Sequence, residues 1–144
     1  MKVRWLVAVL LAASTGVVAA QQGQVPTTET ALGSVRIPRS VKADGKDLRA
    51  GTYQVRLTAQ DAQPAVPGIK MERWVEFVQG GKVAGREVAS IITPDEVKDT
   101  QQGPDLPGKQ PRAGTRVDTL KGGDYIRVWI TRGGVQYLIH LPPA

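Results

Sequence analysis

Near the carboxyl end of the chain, aromatic and basic residues recur at a spacing that favours a binding surface. Tyr125, Arg127 and Trp129 are separated by two residues each, so in a β-strand their side chains point to the same face. An aromatic ring can stack on a sugar or a peptide while neighbouring guanidinium groups donate hydrogen bonds to it. The sequence therefore predicts a ligand-binding row, formed by Arg116, Tyr125, Arg127, Trp129 and His140.

The same row has a purely structural interpretation. Arg116 and Leu138, or the N-terminal segment, would cover Trp129 and close a second apolar layer. A single exposed aromatic residue needs no function to explain it. A contiguous open patch would favour binding, and burial of Trp129 under another segment would favour the structural role.

Two carboxylates offer a catalytic alternative. Glu72 and Glu76 fall on one face of a predicted strand, with Trp74 between them. Four residues of strand separate their Cα atoms by about 13 Å, whereas the carboxyl groups of glycosidases lie roughly 5–9.5 Å apart. A solvated strand face is the favoured interpretation, and hydrolysis of a carbohydrate or cell-wall substrate is the alternative.

Other reactive chemistry has few residues to support it. The chain has no cysteine and a single histidine, His140, which excludes cysteine-based structural zinc sites and a zinc held by three histidines. Asp95, Glu96 and Asp99 lack the ligand spacing of a calcium loop. There is no Gly-x-Ser-x-Gly turn, and the Gly-Gly pairs lie between strands, where they serve as turns. We expect no catalytic residue, metal or cofactor.

The predicted row depends on a hairpin around Gly133-Gly134. Apolar and polar residues alternate on both sides of this pair, and glycine supplies the positive φ of a tight turn. A two-residue turn fixes the register, since a slip by one residue would mix the two faces. The core-facing pairs are then Ile126–Leu141, Val128–Ile139 and Ile130–Tyr137, and the outer pairs are Arg127–His140, Trp129–Leu138 and Thr131–Gln136.

A second turn at Gly122-Gly123 adds a third strand to this hairpin. It places Asp118 opposite Arg127 and Arg116 opposite Trp129. The turn and the apolar alternation fix this register. The opposite-charge pair and the cation–π pair follow from it and therefore support it independently. The sequence predicts a three-stranded meander from about residue 115 to 141.

The rest of the chain contains further strand patterns. Alternation over 35–37 and 52–57, Asp44-Gly45 as a turn, and a hairpin around Gly80-Gly81 indicate an all-β domain. The 71–92 hairpin has two possible registers, one regular and one with a bulge at Gly85. We expect an antiparallel sandwich or barrel of about eight short strands, with one short helix near 94–102 that begins in a Thr93-Pro94-Asp95-Glu96 capping box.

The ends and linkers complete the predicted organisation. Residues 1–20 have the basic start, apolar core and small-residue cleavage site of a secretory signal peptide. Residues 21–32 are predicted to be a flexible tail, and 33–144 the β domain, interrupted by a long polar loop at 103–114. The apolar run of the leader is too short to span a bilayer, so no membrane span is expected after cleavage.

Charge places few constraints on the partner. The chain has a formal net charge of +6, which falls to +4 without Lys2 and Arg4. Basic residues are scattered among acidic ones, so nucleic-acid binding is not expected, whereas mild attraction to anionic cell-envelope surfaces is.

The stretches Val35-Arg36-Ile37-Pro38 and Ala50-Gly51-Thr52-Tyr53 resemble those of small exported bacterial all-β proteins of uncharacterised function. The resemblance implies a location, periplasmic or secreted, and a fold. It implies no catalytic residues.

Together these observations predict an exported, non-enzymatic β-domain that binds a ligand or an envelope partner, such as a protein or a saccharide. The alternatives are the hydrolase described above and a structural or accessory subunit that pairs through an exposed edge strand.

Overall fold

A computed structural model describes residues 23–62, 71–96, 113–120, 122 and 125–144 of the chain. These residues are almost entirely β-structure, with one short helix. The strands are β1 (Thr30–Ile37), β2 (Val41–Ala43), β3 (Lys46–Leu48), β4 (Gly51–Ala62), β5 (Glu72–Gln79), β6 (Lys82–Ile92), β7 (Gly114–Thr119), β8 (Ile126–Arg132) and β9 (Val135–Leu141). The predicted all-β antiparallel fold is confirmed.

Seven strands form one antiparallel sheet in the order β1-β4-β5-β6-β9-β8-β7, which curls until it is nearly a barrel. β2 and β3 form a separate hairpin. The C-terminal meander has the predicted register in every pair, from Arg116 opposite Trp129 to Arg127 opposite His140. Gly133 and Gly134 have φ of 60° and 78°, the conformation that the tight turn requires.

The core lies inside the curled sheet and follows the period-two pattern of the strands. Its largest side chains come from all the long strands, so burial of apolar area here supplies most of the driving force for folding. The predicted inward residues are buried: Tyr53, Val55, Leu57, Ile126, Val128, Ile130, Tyr137 and Ile139.

The β2–β3 hairpin closes one end of the sheet. Its apolar residues Val41, Ala43 and Leu48 are at most 1% exposed. A Cβ at Gly85 of β6 would lie 3.3 Å from the Cβ of Ala43 and 3.4 Å from Cδ1 of Leu48. Glycine at this position therefore allows the hairpin to pack directly against the backbone of β6.

A bulge resolves the register of the β5–β6 hairpin. Val78 pairs with Val83, but Phe77 pairs with Gly85, which leaves Ala84 as the extra residue. Of the two registers left open by the sequence, the bulged one is present. The extra residue changes the phase of β6, so Arg86 faces outward opposite Glu76 and Ala89 lies in the core.

The N-terminal segment crosses the other end of the sheet. Gly23 donates a backbone hydrogen bond to Gly133 (2.6 Å), and buried Arg73 donates to the carbonyl oxygens of Pro26 and Thr58. β1 begins at Thr30, so the last three residues of the predicted tail belong to a strand. Leu32 is the extra residue of a bulge between Ala31 and Gly33, which breaks the alternation, so the sequence pattern did not predict the beginning of this strand.

The short helix begins where the capping box predicted. Residues 94–96 are helical, and the backbone N–H of Thr93 donates to Oε2 of Glu96 (2.9 Å). Residues 97–102 of the predicted helix, most of the predicted 103–114 loop and the predicted signal peptide lie outside the described residues. Within the described ranges, every helix is too short or too polar to cross a bilayer.

Candidate functional site

The predicted row lies on the outer side of β7, β8 and β9. Trp129 of β8 has Arg116 beside it on β7 and Leu138 on β9. Arg127, two residues earlier, has Asp118 on β7 and His140 on β9. We call the surface formed by Arg116, Asp118, Arg127, Trp129 and His140 the Trp129 face.

Two guanidinium groups approach the indole of this face. The Cζ atoms of Arg127 and Arg116 lie 5.3 and 5.7 Å from the ring centroid of Trp129. Both distances fall within the range of a cation–π interaction. Two positive charges thus lie close to the aromatic ring. The register predicted this contact for Arg116.

Asp118 is shared by the same two arginines. Its Oδ2 accepts from Nε of Arg116 at 3.2 Å and from Nη2 of Arg127 at 3.5 Å. One carboxylate thus compensates two guanidinium groups, which leaves the Trp129 face with an excess positive charge. A surface of this kind attracts anionic groups.

Two polar atoms of this face are buried without an acceptor. Nε1 of Trp129 and Nε of Arg127 have no hydrogen-bond partner among the described residues. A buried N–H without an acceptor costs about 1–3 kcal/mol. An unpaired buried donor in a native structure needs an explanation, and a ligand oxygen that supplies the missing acceptor is one such explanation.

The remaining residues of the row lie at its margins. Tyr125 is 45% exposed at the beginning of β8, and its carbonyl accepts from the backbone N–H of Leu120. Loss of hydration and the nearby charge of Arg127 lower the pKa of His140 from its ordinary value of 6.5. His140 is therefore largely neutral at pH 7, and it becomes charged only in more acidic solution.

The outer face is covered at one end. Gln136, which the register places on this side opposite Thr131, is only 5% exposed. A Cβ at neighbouring Gly134 would lie 3.4 Å from Cγ of Pro94, close to Gly23. Trp129 itself is partly buried. One end of the row is thus covered by neighbouring segments, and ligand binding by the row stays a prediction.

A second tryptophan lies on the outer side of β4, β5 and β6. The Cζ of Arg86 lies 4.3 Å from the ring centroid of Trp74. Arg86 forms an ion pair with Asp44 (3.1 Å), and Arg56 forms ion pairs with Glu76 and with Glu29. We call the surface formed by Arg56, Trp74, Glu76 and Arg86 the Trp74 face. Its two guanidinium groups have three carboxylates as partners.

The carboxylates considered for hydrolysis have separate surroundings. Glu76 accepts two hydrogen bonds from Arg56. Glu72 is 5% exposed and accepts from the hydroxyl of Ser90 at 3.4 Å. Each carboxylate is thus engaged by a neighbour on an adjacent strand. No group of three or more His, Cys, Asp or Glu residues that could hold a metal ion is found in the described ranges.

The sequence pattern did not predict the burial of Arg73. This arginine lies on the inward face of β5 together with Val75 and Phe77, and it is only 4% exposed. Its Nε has no partner among the described residues. Burial raises the pKa of Tyr137, and the positive charge of Arg73 opposes this rise. The interruption of an apolar alternation by arginine was the available signal, and the alternation of Glu72, Trp74 and Glu76 on the opposite face concealed it.

Comparisons with protein-family models, with curated proteins and with solved structures each find no match.

Proposed function

We propose that the protein is an exported, non-enzymatic binding module that takes an acidic saccharide on its Trp129 face. Export rests on the amino-terminal sequence pattern, which favours a periplasmic or secreted location. The observation that carries the binding proposal is a pair of buried donors, Nε1 of Trp129 and Nε of Arg127, for which the described part of the chain provides no acceptor. These donors lie at an indole that has two arginines beside it.

The chemistry of the face suits a sugar that bears carboxylate groups. The indole offers a flat apolar surface on which a pyranose ring can stack. Arg116 and Arg127 supply guanidinium donors that match a carboxylate in geometry and charge. Asp118 is 31% exposed and can accept from a sugar hydroxyl.

We propose that rotation of the Arg116 side chain gives a ligand access to the buried donors. Arg116 is 44% exposed and is attached to the face through one ion pair and one cation–π contact. Exposed contacts of this kind contribute about 0–1 kcal/mol each, so rotation of Arg116 costs little. A ligand oxygen that then reaches Nε1 of Trp129 removes the cost of the unpaired donor.

Binding is favoured over hydrolysis by the surroundings of Glu72 and Glu76. An acid–base pair needs two carboxyl groups that face one substrate bond. Here Glu76 is the ion-pair partner of Arg56, and Glu72 is buried beside Ser90. Hydrolysis at this pair remains the alternative, and it predicts cleavage of a carbohydrate or cell-wall substrate that is lost in Glu72→Gln.

The binding proposal is tested by calorimetric titration of the protein with an oligosaccharide of galacturonic acid and with the matching oligosaccharide of galactose. We expect the acidic sugar to bind and the neutral one to bind at least about tenfold more weakly, because only the former has carboxylates for the arginines.

Two matched variants locate the site. Trp129→Phe should weaken binding of the acidic sugar about tenfold, since it removes the donor and part of the stacking surface. Trp74→Phe is the control, because it makes the same change on the Trp74 face, and it should leave the affinity unchanged. Equal binding of both sugars, or an equal loss in both variants, contradicts the proposal.

A further inference from the structure

The two edge strands of the sheet meet, but they run in the same direction. Each strand of the seven-stranded sheet is antiparallel to its neighbours, and six such steps separate β1 from β7. An odd number of strands cannot close into a barrel that is antiparallel throughout. β1 and β7 are therefore parallel where the curled sheet brings them together.

Side chains rather than a backbone ladder join these edges in the described part of the chain. The hydroxyl of Thr115 donates to the carbonyl of Ser34 at 3.2 Å. A Cβ at Gly33 would lie 3.6 Å from the methyl group of Thr115. No β-ladder between β1 and β7 is present among the described strands. We call this junction the β1–β7 seam.

An additional strand would complete the barrel. A segment that lies antiparallel to β1 would also lie antiparallel to β7, so its backbone could pair with both edges at the usual spacing of about 4.8 Å. Opening the seam breaks the Thr115–Ser34 hydrogen bond and the contact at Gly33. Eight-stranded antiparallel barrels close without an edge, and their side chains fill the interior.

The side chains of the seam indicate the character of this segment. On the outer side, Arg36 of β1 and Arg116 of β7 are exposed. On the inner side, Val35 is buried, and Val117 is partly buried against the core. A strand whose acidic residues point outward and whose apolar residues point inward matches both sides.

A second copy of this chain matches poorly. Pairing β1 with β1, or β7 with β7, about a two-fold axis would bring the arginines of both copies onto one short ribbon, and like charges across strands are destabilising. Exposed basic residues on an edge commonly prevent such self-association.

We propose that the β1–β7 seam binds an extended segment of a partner protein in which acidic and apolar residues alternate, and that this segment adds an eighth strand antiparallel to both edges. The inference goes beyond the saccharide site. The two share Arg116 alone, so their tests use different residues.

The first test closes the seam covalently. Because the chain has no cysteine, the double variant Ser34→Cys, Thr115→Cys carries the only two thiols, and both positions are exposed. A short bis-maleimide joins them, and the probe is a heptapeptide of alternating valine and glutamate. We expect the uncrosslinked variant to bind the peptide at least as tightly as the unsubstituted protein, since the Thr115 hydrogen bond is gone. Crosslinking should weaken binding at least about tenfold.

The second test examines charge and backbone pairing. Arg36→Glu should weaken binding of the valine–glutamate peptide by about fivefold. Lys82→Glu, at an exposed position at the beginning of β6, should not change it. The valine–lysine peptide and a peptide with alternate amides N-methylated should bind more weakly still. In NMR spectra, the valine–glutamate peptide should protect backbone amides of β1 and β7 from exchange.

The proposal is overturned if the crosslinked protein binds as tightly as the open one, if the lysine peptide binds as tightly as the glutamate peptide, or if no peptide binds. Trp129→Phe separates the two sites: it should weaken binding of the acidic sugar about tenfold and leave peptide binding unchanged.

Discussion

The Trp129 face and the Trp74 face are built from the same residue types, but they differ in how fully their charges are paired. In both, an arginine packs against an indole on the outer side of three strands. On the Trp74 face every guanidinium has a carboxylate of its own, whereas on the Trp129 face two arginines share Asp118. Residue composition alone therefore does not distinguish a stabilising cluster from a candidate site.

The two faces also differ in their buried donors. Trp129 and Arg127 each have a buried N–H that lacks an acceptor among the described residues. Within the same ranges, no buried N–H of Trp74, Arg56 or Arg86 lacks an acceptor. An unmatched charge and unmet hydrogen bonds are costs that a bound ligand can offset.

The largest expected effect is an opposite change in stability when each tryptophan is replaced by phenylalanine. Trp74→Phe should lower the free energy of unfolding by about 1 kcal/mol, because it removes apolar area and part of the cation–π contact. Trp129→Phe should leave that free energy unchanged or raise it by about 1 kcal/mol, since the unpaired Nε1 is removed. Urea denaturation measures both, and a similar loss in the two variants would show that the faces are equivalent.

A smaller effect is expected from the carboxylates. Asp118→Asn should destabilise the fold by roughly 1 kcal/mol, because Arg116 and Arg127 lose the one carboxylate they share. Glu76→Gln should cost less, since Arg56 keeps its ion pair with Glu29. Thermal unfolding at low salt compares them, and a greater loss in Glu76→Gln would contradict the proposed difference in charge balance.

The pKa of His140 depends on the charge of the Trp129 face. Arg127→Gln should raise the pKa of His140, because the positive charge that lowers it is removed. The pKa should stay below 6.5, since loss of hydration is the larger cause. A proton-NMR titration of the single imidazole measures this shift. Glu76→Gln, on the other face, is the control and should leave the titration unchanged.

The smallest effect concerns pH. Because the pKa of His140 in the folded protein lies below 6.5, the unfolded chain takes up its proton first as the pH falls. Above pH 6.5, protonation of His140 therefore does not reduce the free energy of unfolding. That free energy declines as the pH falls through 6.5 towards the lowered pKa. Binding of the acidic sugar should change in the opposite direction and tighten, since protonated His140 adds a positive charge. His140→Gln should abolish both dependences near this pH.

The C-terminal meander could be predicted from sequence in detail. Gly133-Gly134 fixes the turn, and alternation on both sides leaves one register that buries the apolar residues. The contacts of Trp129 with Arg116 and of Asp118 with Arg127 follow from that register. Where turn chemistry and periodicity agree, local information is sufficient.

The β5–β6 hairpin shows where local information fails. A regular turn and a bulge at Gly85 both satisfy the sequence pattern, and the choice depends on the β2–β3 hairpin, which packs against Gly85. Arg73 is a second case, because its burial depends on the N-terminal segment that supplies the carbonyl of Pro26. Both outcomes depend on residues distant in the chain.

The all-β class, the strand faces and the residue pairs that build the Trp129 face follow from the sequence, because periodicity and turn residues act over a few positions. The excess charge of one tryptophan face, and its donors that lack acceptors among the described residues, follow from the folded arrangement of the strands. The same is true of the parallel approach of β1 and β7. Charge balance, burial of single atoms and closure of a sheet are properties of strands brought together from across the chain.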